Sequence, residues 1–322
     1  MPFAQVTALL QSEIKTMNET IIRCLESQVE VINKISHYLI ESGGKRVRPL
    51  VVLLSSRACQ APMENAISMA AIIEFIHTAT LLHDDVVDDS KLRRGKLTAN
   101  RVWDNPTAIL VGDFLYSRAF QMMVAINSMD CMRILSDATN TIAEGEVLQL
   151  THRFEPDVDE ARYLKVIHFK TAKLFEAAGQ LGPVLAKQPV ATEQALADYG
   201  RHLGMAFQLV DDILDYKATN ENWGKNIGAD LNEGKATLPL IYALKHAAPH
   251  QAKIIREAIL AGSLDNIDTI QEAIVSSGAI AYCMEMAKQE VDKAKQCLQV
   301  LTPSPYKEAL NNLASFALQR GS

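Results

Sequence analysis

Apolar positions recur at three- and four-residue spacing along most of the 322-residue chain, the period of helices with one buried face. Residues 3 to about 40 carry Val6, Leu9, Leu10, Ile14 and Met17 in that register and predict one or two amphipathic helices. Gly43-Gly44 interrupts the pattern, and Pro49 suits the first turn of a new helix, RVRPLVVLLSSRAC. The longest apolar run, Ala66 to Leu82, falls in a central helix expected over about 64–90. Further helices are expected at about 105–128, 131–151, 158–186 and 191–217, separated by Asn-Pro, Ser-Met-Asp, Glu-Pro-Asp and Lys-Gln-Pro breaks. Residues 217–237 are too rich in Gly and Asn for a continuous helix and read as a flap, after which helices and short breaks alternate to the end. With no strand alternation, internal repeat or linker, the pattern predicts a single all-α domain over 1–322. Its expected form is a helical bundle around a deep central cavity.

Composition narrows this picture. Hydrophobic residues make up 48% of the chain and aromatics 6%, which supports a large helical core over a β-sandwich. The net charge of −6 comes from interspersed acidic and basic residues, so bulk charge does not recruit nucleic acid. Cys24, Cys59, Cys131, Cys283 and Cys297 are far apart, without CxxC or zinc spacing, and read as reduced core thiols of a cytoplasmic protein. The stretch MPFAQVTALLQSEIK lacks the basic-then-apolar order of a signal peptide. The apolar run 66–82 carries Glu74 and His77 and reads as core rather than as a membrane span.

Two acidic clusters stand out, each at the end of an apolar run. LLHDDVVDD at 81–89 holds Asp84, Asp85 and Asp88, and MAFQLVDDILDY at 205–216 holds Asp211, Asp212 and Asp215. Helix positions three and four apart are neighbours, so the carboxylates of each DDxxD are expected to converge. Carboxylates held that close repel one another and call for cations. Oxygen-only ligands suit Mg2+, which completes its octahedron with water and phosphate oxygens. A lone DDxxD is more often a solvated helix end, but here there are two, with basic groups around them. GGKRVRP lies at 43–49, LRRG at 92–95, FKT at 169–171 and GKNIGADLNEGK at 224–235. Lys45 and Arg48 fall at a predicted helix N-terminus, which favours anions. Arg93 and Arg94 follow the first cluster, with Gly95 expected to end the central helix. Acidic clusters with such cations describe a pocket that clamps diphosphates.

With these motifs together, the chain resembles the trans-isoprenyl diphosphate synthases, in particular the bacterial branch that makes octaprenyl diphosphate. The likeness rests on GGKRVRP, EFIHTATLLHDDVVDD, LRRGK, LVGDFLYSRAF, AEGEVLQL, FQLVDDILDY and LNEGKATLPL, and it runs over nearly the whole chain. One departure is Ala236, where many relatives read proline after EGK; Lys235 is retained. The resemblance implies a cytoplasmic homodimer that condenses isopentenyl diphosphate units onto an allylic diphosphate, farnesyl diphosphate, in the trans configuration. The product would serve as a quinone side chain, as in ubiquinone, with transient membrane contact for its release. Mg2+ would be held by the six aspartates. Arg93, Lys170 and Lys235, with Lys225 on the flap, would hold the departing diphosphate, and Lys45, Arg48, His77 and Arg94 the isopentenyl diphosphate. Thr171 and Gln208 would offer oxygen dipoles to the carbocation, and released pyrophosphate would take the proton.

Chain length is expected to depend on what lies beneath the first cluster. Thr80, Ile76 and Ile73 share the Asp84 face of the central helix. Short-chain relatives place aromatic rings four or five residues before the motif, where this chain has the small Thr80 and Ala79. The floor is then expected deeper, at Phe120 or Met123, residues whose other role is ordinary core. A long product follows, octaprenyl or alternatively nonaprenyl. Rival readings have less behind them. His83-Asp84 is an HD doublet without accompanying histidines, and Glu74 with His77 gives one Glu-x-x-His where a di-iron bundle needs two. Terpene cyclases carry Asn, Ser or Thr in their second cluster, and non-catalytic regulatory subunits generally lack one cluster.

Overall fold

A computed structural model describes residues 3–41, 43–217 and 227–319. In order, the helices are α1 (Phe3–Leu9), α2 (Gln11–Leu25), α3 (Glu30–Glu41), α4 (Val47–Ala58) and α5 (Met63–Val87). A hairpin of two-residue strands, β1 (Leu92–Arg93) and β2 (Lys96–Leu97), precedes α6 (Ala99–Val102), α7 (Asn105–Ile126), α8 (Met129–Thr151) and α9 (Glu160–Ile167). A π-helical turn, His168–Ala172, leads into α10 (Lys173–Leu185) and α11 (Val190–Lys217). Then come α12 (Ala229–Asn232), α13 (Leu238–His246), α14 (Pro249–Ala261), α15 (Ile267–Ser276), α16 (Ala279–Cys297) and α17 (Pro305–Gln319). The all-α expectation holds, with one small hairpin that the sequence pattern did not show.

Internal contacts divide the chain into two compact units. One is formed by the chain up to Thr139 with Leu174–Gly200 and Cys297–Leu313. The other is formed by Asn140–Lys173, Arg201–Gln296 and the residues after Leu313.

In the first unit the N-terminal segment makes three helices rather than one or two. The break between α2 and α3 is tied by Asn33, whose side chain accepts the Ser27 N–H and donates to the Ser27 carbonyl, both at 2.9 Å. Helix α5 is the interior element, packed against α4 and α7. It buries Met69, Ile72, Ile73, Phe75, Ile76 and Leu82, and each such side chain contributes about 1.5–3 kcal/mol of transfer free energy. Gly112 lets α7 approach closely, since a Cβ there would run into the His83 ring. Helices α5 and α7 are both long and apolar enough to cross a membrane by length and composition; 56% of the most apolar window of α5 is buried within the protein and 28% of that of α7.

In the second unit, Leu209, Val210 and Ile213 of α11 pack with Ile167, Leu238 and Cys283. That packing fixes the rotation of the helix that carries the second acidic cluster. A neighbouring core joins Leu231, Leu240, Ile255, Ile259, Ile270 and Ile274. Cys59, Cys131 and Cys283 are buried as expected, whereas Cys24 and Cys297 are only half-buried; burial pushes Cys59 up to about 11 and Cys283 up to about 12.

Candidate active site

The first cluster closes α5. Asp84 and Asp85 sit in its last turn and Asp88 caps it, donating its backbone N–H to the Asp84 carbonyl at 2.8 Å. Asp84 and Asp88 lie close enough to act on the charge of Asp85, which has a partner of its own. Asp85 is buried and clasped by Arg93, whose Nε lies 2.9 Å from Oδ1 and 3.1 Å from Oδ2, with Nη2 2.7 Å from Oδ1. Burial pushes the Asp85 carboxyl above its ordinary range, Arg93 pulls it back, and Asp84 and Asp88 push it up again. Among the described residues, no three carboxylate, imidazole or thiol side chains are grouped closely enough to hold a metal ion by themselves.

Arg93 reaches Asp85 because of the hairpin. Leu92 pairs with Leu97 and Arg93 with Lys96, across a two-residue loop of Arg94 (φ 53°) and Gly95 (φ 76°). Two left-handed residues at these positions make the tight turn that matches strand twist. Gly95 therefore closes the hairpin and does not end the central helix. That helix stops at Val87, three residues earlier than expected, with Asp89 in the left-handed region (φ 50°). Adjacent arginines leave this turn differently. The Arg94 guanidinium lies against Gly44, where a Cβ would come within 2.6 Å of Nη1.

The GGKRVRP loop surrounds the same corner. Lys45 is exposed on it, and Arg48 sits in the first turn of α4, both at the helix N-terminus as expected. Arg48 stacks 4.3 Å over the Phe175 ring and places Nη1 3.2 Å from His77 Nε2. Burial, then the charges of Arg48, Arg93 and Arg94, hold His77 well below the usual histidine range, so the ring is neutral and Nε2 accepts from Arg48. Glu74 lies 3.8 Å from Arg46 Nε, and burial raises its pKa against the pull of Arg46, Arg48 and Arg94. His83 turns instead to α7, 3.2 Å from the Ile109 carbonyl and 3.3 Å from Asp113. With His77 and His83 engaged this way, neither the HD nor the Glu-x-x-His reading acquires a ligand set.

Beneath this corner, Ile76 and Ala79 are fully buried on α5, and the Thr80 hydroxyl donates to the His77 carbonyl at 2.8 Å. Met123 of α7 is buried, and Phe120 stacks on Tyr116 at 6.4 Å.

The second cluster is built differently. Asp212 is 3% exposed, accepting from Tyr163 Oη at 2.6 Å on Oδ2 and from Gln208 Nε2 at 2.7 Å on Oδ1. The Thr171 hydroxyl donates to Gln208 Oε1 at 2.8 Å, which fixes the amide's orientation. Burial and then Asp230 push the Asp212 carboxyl well above its ordinary range, while Tyr163 and Gln208 pull it down. Asp215 accepts the backbone N–H groups of Ala229 (3.2 Å) and Asp230 (3.0 Å) at the start of α12. Asp211 is partly exposed.

Lys170 and Thr171 lie in the π turn, a widened helical turn that frequently marks functional sites. Gly145 of α8 makes room for it: a Cβ there would come 2.7 Å from the Lys170 backbone nitrogen. Lys170 does not reach for solvent. Its Nζ donates to Glu146 Oε2 at 2.5 Å and Gln149 Oε1 at 2.9 Å. Lys235 Nζ meets Glu233 Oε2 at 2.5 Å. Lys170, Thr171, Gln208, Asp212, Asp230 and Lys235 line one cavity of about 110 Å³. Lys225 lies outside the described residues.

Sequence reasoning missed Tyr163, Gly145, Glu146 and Gln149. Gly145, Glu146 and Gln149 lie in the AEGEVLQL stretch that carries part of the resemblance, and a glycine inside a helical run often marks close backbone approach; Tyr163 had no such signal. The donor sets of both clusters are carboxylate oxygens flanked by cations suited to diphosphate. This chemistry fits a hard divalent ion that takes one or two carboxylates and fills its shell with water and diphosphate oxygens.

An all-α fold carrying two such clusters defines a prenyltransferase of the isoprenoid synthase type. The polyprenyl synthetase family profile matches residues 29–276, and the chain belongs to that family. It is 47% identical over 321 residues to octaprenyl diphosphate synthase of Escherichia coli K12, covering 99% of each chain. It is 44% identical over 316 residues to the geranyl-diphosphate-specific all-trans-nonaprenyl-diphosphate synthase of Rhodobacter capsulatus, covering 98% of this chain and 97% of the relative. Among solved structures, polyprenyl synthase of Caulobacter crescentus CB15, complexed with calcium and isoprenyl diphosphate, superposes with a TM-score of 0.95. The two are 43% identical, over 99% of this chain and 98% of that one.

Proposed function

We propose that this protein is a long-chain trans-polyprenyl diphosphate synthase that adds isopentenyl diphosphate units to farnesyl diphosphate to give octaprenyl diphosphate for quinone side chains. The observation that carries the reading is that each aspartate cluster lies beside its own cations. Arg93 clasps Asp85 in one unit, with Arg48 and Arg94 around the adjoining corner, and Lys170 and Lys235 share a cavity with Asp212 in the other. The family profile runs through segments of both units, which supports reading the chain as one polyprenyl synthase domain.

Asp84, Asp88, Asp211 and Asp212 would hold Mg2+, with Asp85 and Asp215 completing the two motifs. When bound, the metal supplies Lewis-acid stabilisation of the departing pyrophosphate. Arg93, Lys170, Lys225 and Lys235 bind that diphosphate and stabilise its growing charge. Lys45, Arg48, Arg94 and neutral His77 hold isopentenyl diphosphate, the imidazole keeping Arg48 in place. Thr171 and Gln208 turn oxygen atoms toward the cavity, where partial negative charge stabilises an allylic carbocation. The isopentenyl double bond attacks that cation, and the released pyrophosphate takes the proton lost from the adduct. The exposed apolar residues Ile109, Leu110 and Val124 of α7 support a homodimer in which a second copy covers them. The reading places the enzyme in the cytoplasm, with transient membrane contact as the product leaves.

Incubation of the purified chain with farnesyl diphosphate, isopentenyl diphosphate and Mg2+, followed by chromatography of the dephosphorylated products, tests the reading. A C40 product supports it, a C45 product shifts it to a nonaprenyl synthase, and no product without a second subunit overturns it. Ala79→Phe or Thr80→Phe should collapse the product to short chains, because a ring there crosses the path of the growing chain. Met123→Ala, or Phe120→Ala, should lengthen the product if that side chain is the floor. An unchanged product from both phenylalanine variants would place the tunnel elsewhere.

A further inference from the structure

Tyr163 has no place in the reaction as read so far, yet it makes a direct side-chain bond to the second cluster. It lies on α9, 5% exposed, and spends its hydroxyl proton on Asp212 Oδ2 at 2.6 Å. On the other oxygen of the same carboxylate, Gln208 Nε2 donates at 2.7 Å, and Gln208 is itself held by the Thr171 hydroxyl at 2.8 Å. A carboxylate with two oxygens offers about four lone-pair sites. Two are taken here by protein donors, one on each oxygen, and one remains on each oxygen for a cation. Donors on both sides leave the carboxylate plane no freedom to rotate. Asp85 of the first cluster is held by a guanidinium on both oxygens, so its charge is balanced as well as its orientation. Tyr163 orients Asp212 with a neutral donor.

We infer that Tyr163 is a positioning residue for the second metal-binding cluster, fixing the Asp212 carboxylate in the orientation that receives the divalent cation. The inference rests on the proposed metal-dependent reaction. It separates Tyr163 from the residues that touch substrate: Tyr163 sets how much Mg2+ the enzyme needs and leaves the isopentenyl diphosphate site alone. Partners that orient a metal ligand in this way typically alter metal affinity by about 10–100-fold when removed.

The test is Tyr163→Phe, which keeps the ring and deletes only the hydroxyl. Binding of farnesyl thiodiphosphate, an unreactive allylic analogue, is measured calorimetrically over a series of Mg2+ concentrations without turnover. The Mg2+ concentration at half-maximal binding is expected to rise about tenfold. Affinity should return to that of the unsubstituted enzyme at saturating Mg2+, and the KM for isopentenyl diphosphate measured there should be unchanged. Thr171→Val, which cuts the chain one link further back, should shift the Mg2+ midpoint in the same direction by a smaller factor. Coincident Mg2+ curves for Tyr163→Phe and the unsubstituted enzyme overturn the inference, and so does a loss that saturating Mg2+ fails to restore. If Tyr163→Phe does not fold, Tyr163→Met, which fills similar space without a donor, takes its place, and an unshifted midpoint there overturns the inference. The unsubstituted enzyme is the control for the reaction itself: analogue binding that ignores Mg2+ defeats the proposed function, not the role of Tyr163.

Discussion

The two aspartate clusters share the five-residue spacing DDxxD and differ in what holds them. In the first, the middle aspartate, Asp85, meets a full positive charge on Arg93, and the motif ends a helix at a left-handed turn. In the second, the middle aspartate, Asp212, meets only neutral donors, while Asp215 is bound by backbone amides that follow the loop. An ion pair balances charge; a neutral hydrogen bond fixes direction and leaves the charge in place. The same motif therefore gives one cluster held by an ion pair and one held by neutral donors inside a cavity lined by Lys170 and Lys235, where burial and Asp230 push the Asp212 carboxyl up. A motif specifies donor atoms, and the surrounding residues decide how much of their charge reaches a ligand.

The sharpest way to break this comparison is to delete one carboxylate from each cluster. Asp84→Ala and Asp212→Ala should each lower turnover by roughly 10²-fold or more, the scale seen when a preorganised charge-stabilising group is removed. Their stabilities should diverge. Asp212→Ala leaves the Tyr163 hydroxyl and the Gln208 amide buried without their acceptor, a loss of about 1–3 kcal/mol. Asp84→Ala also removes a like charge that pushes the Asp85 carboxyl up, so its loss in urea unfolding should be smaller. Equal destabilisation of the two would mean that the clusters are supported alike.

A second expectation separates the cations near the first cluster by substrate. Arg48 lies 4.3 Å over the Phe175 ring and 3.2 Å from His77, whereas Arg93 is bonded to Asp85. Losing a charge-assisted bond to a diphosphate costs roughly 1.5–3 kcal/mol. Arg48→Ala should therefore raise KM for isopentenyl diphosphate about 10- to 100-fold by that figure and leave KM for farnesyl diphosphate near its original value. A rise confined to farnesyl diphosphate would reverse the assignment.

A third concerns the backbone beneath Lys170. Gly145→Ala places a methyl group 2.7 Å from the Lys170 backbone nitrogen, and backbone cannot swing aside as a side chain can. Overpacking of this kind costs about 1–3 kcal/mol. The π turn should shift, and turnover should fall further than at a glycine with open space around it. Thermal melts and steady-state rates of Gly145→Ala against Gly278→Ser check this, since a Cβ at Gly278 meets nothing within 4 Å although its positive φ adds its own strain.

Much of this was legible in the sequence because it is local. The central helix, both clusters, and Lys45 and Arg48 at the start of α4 all follow from periodicity and from spacing within a few residues. The hairpin was not legible. Its strands are two residues long, and its turn puts a left-handed arginine where asparagine is the usual signal. The π turn keeps the apolar periodicity of its neighbours, so the turn itself was not legible, although the resemblance singled out Lys170 and Thr171 within it. Tyr163 and Asp212 are 49 residues apart in sequence, and no pattern in a single chain pairs them. The clasp on Asp85 comes from Arg93, a residue beyond the helix that carries the cluster.

The smallest effect isolates the ion-pair half of the comparison away from any metal. Glu13 of α2 is buried and, like Asp85, clasped by a guanidinium: Arg57 Nε lies 2.7 Å from its Oε1, and Ser12 donates to Oε2 at 2.8 Å. Burial pushes the Glu13 carboxyl up, but the bonds from Arg57 and Ser12 outweigh it, and the pKa falls below the ordinary 4.5. For Asp85 the balance goes the other way, because burial weighs more heavily against its charge and Asp84 and Asp88 then add like charge. A carboxyl whose folded pKa is depressed adds stability that is fully present above its unfolded value. That stability is lost as pH falls through the folded one. Arg57→Met should therefore lower stability at pH 7 by on the order of 1 kcal/mol, the range for partly exposed pairs. The difference between variant and parent should narrow steadily once the pH drops below about 4.5. Urea midpoints measured between pH 3 and pH 7 give the curve. A difference that is flat across that range would mean that Arg57 contributes packing alone, and that a guanidinium clasp without neighbouring acids does not set the ionisation of the carboxylate it holds.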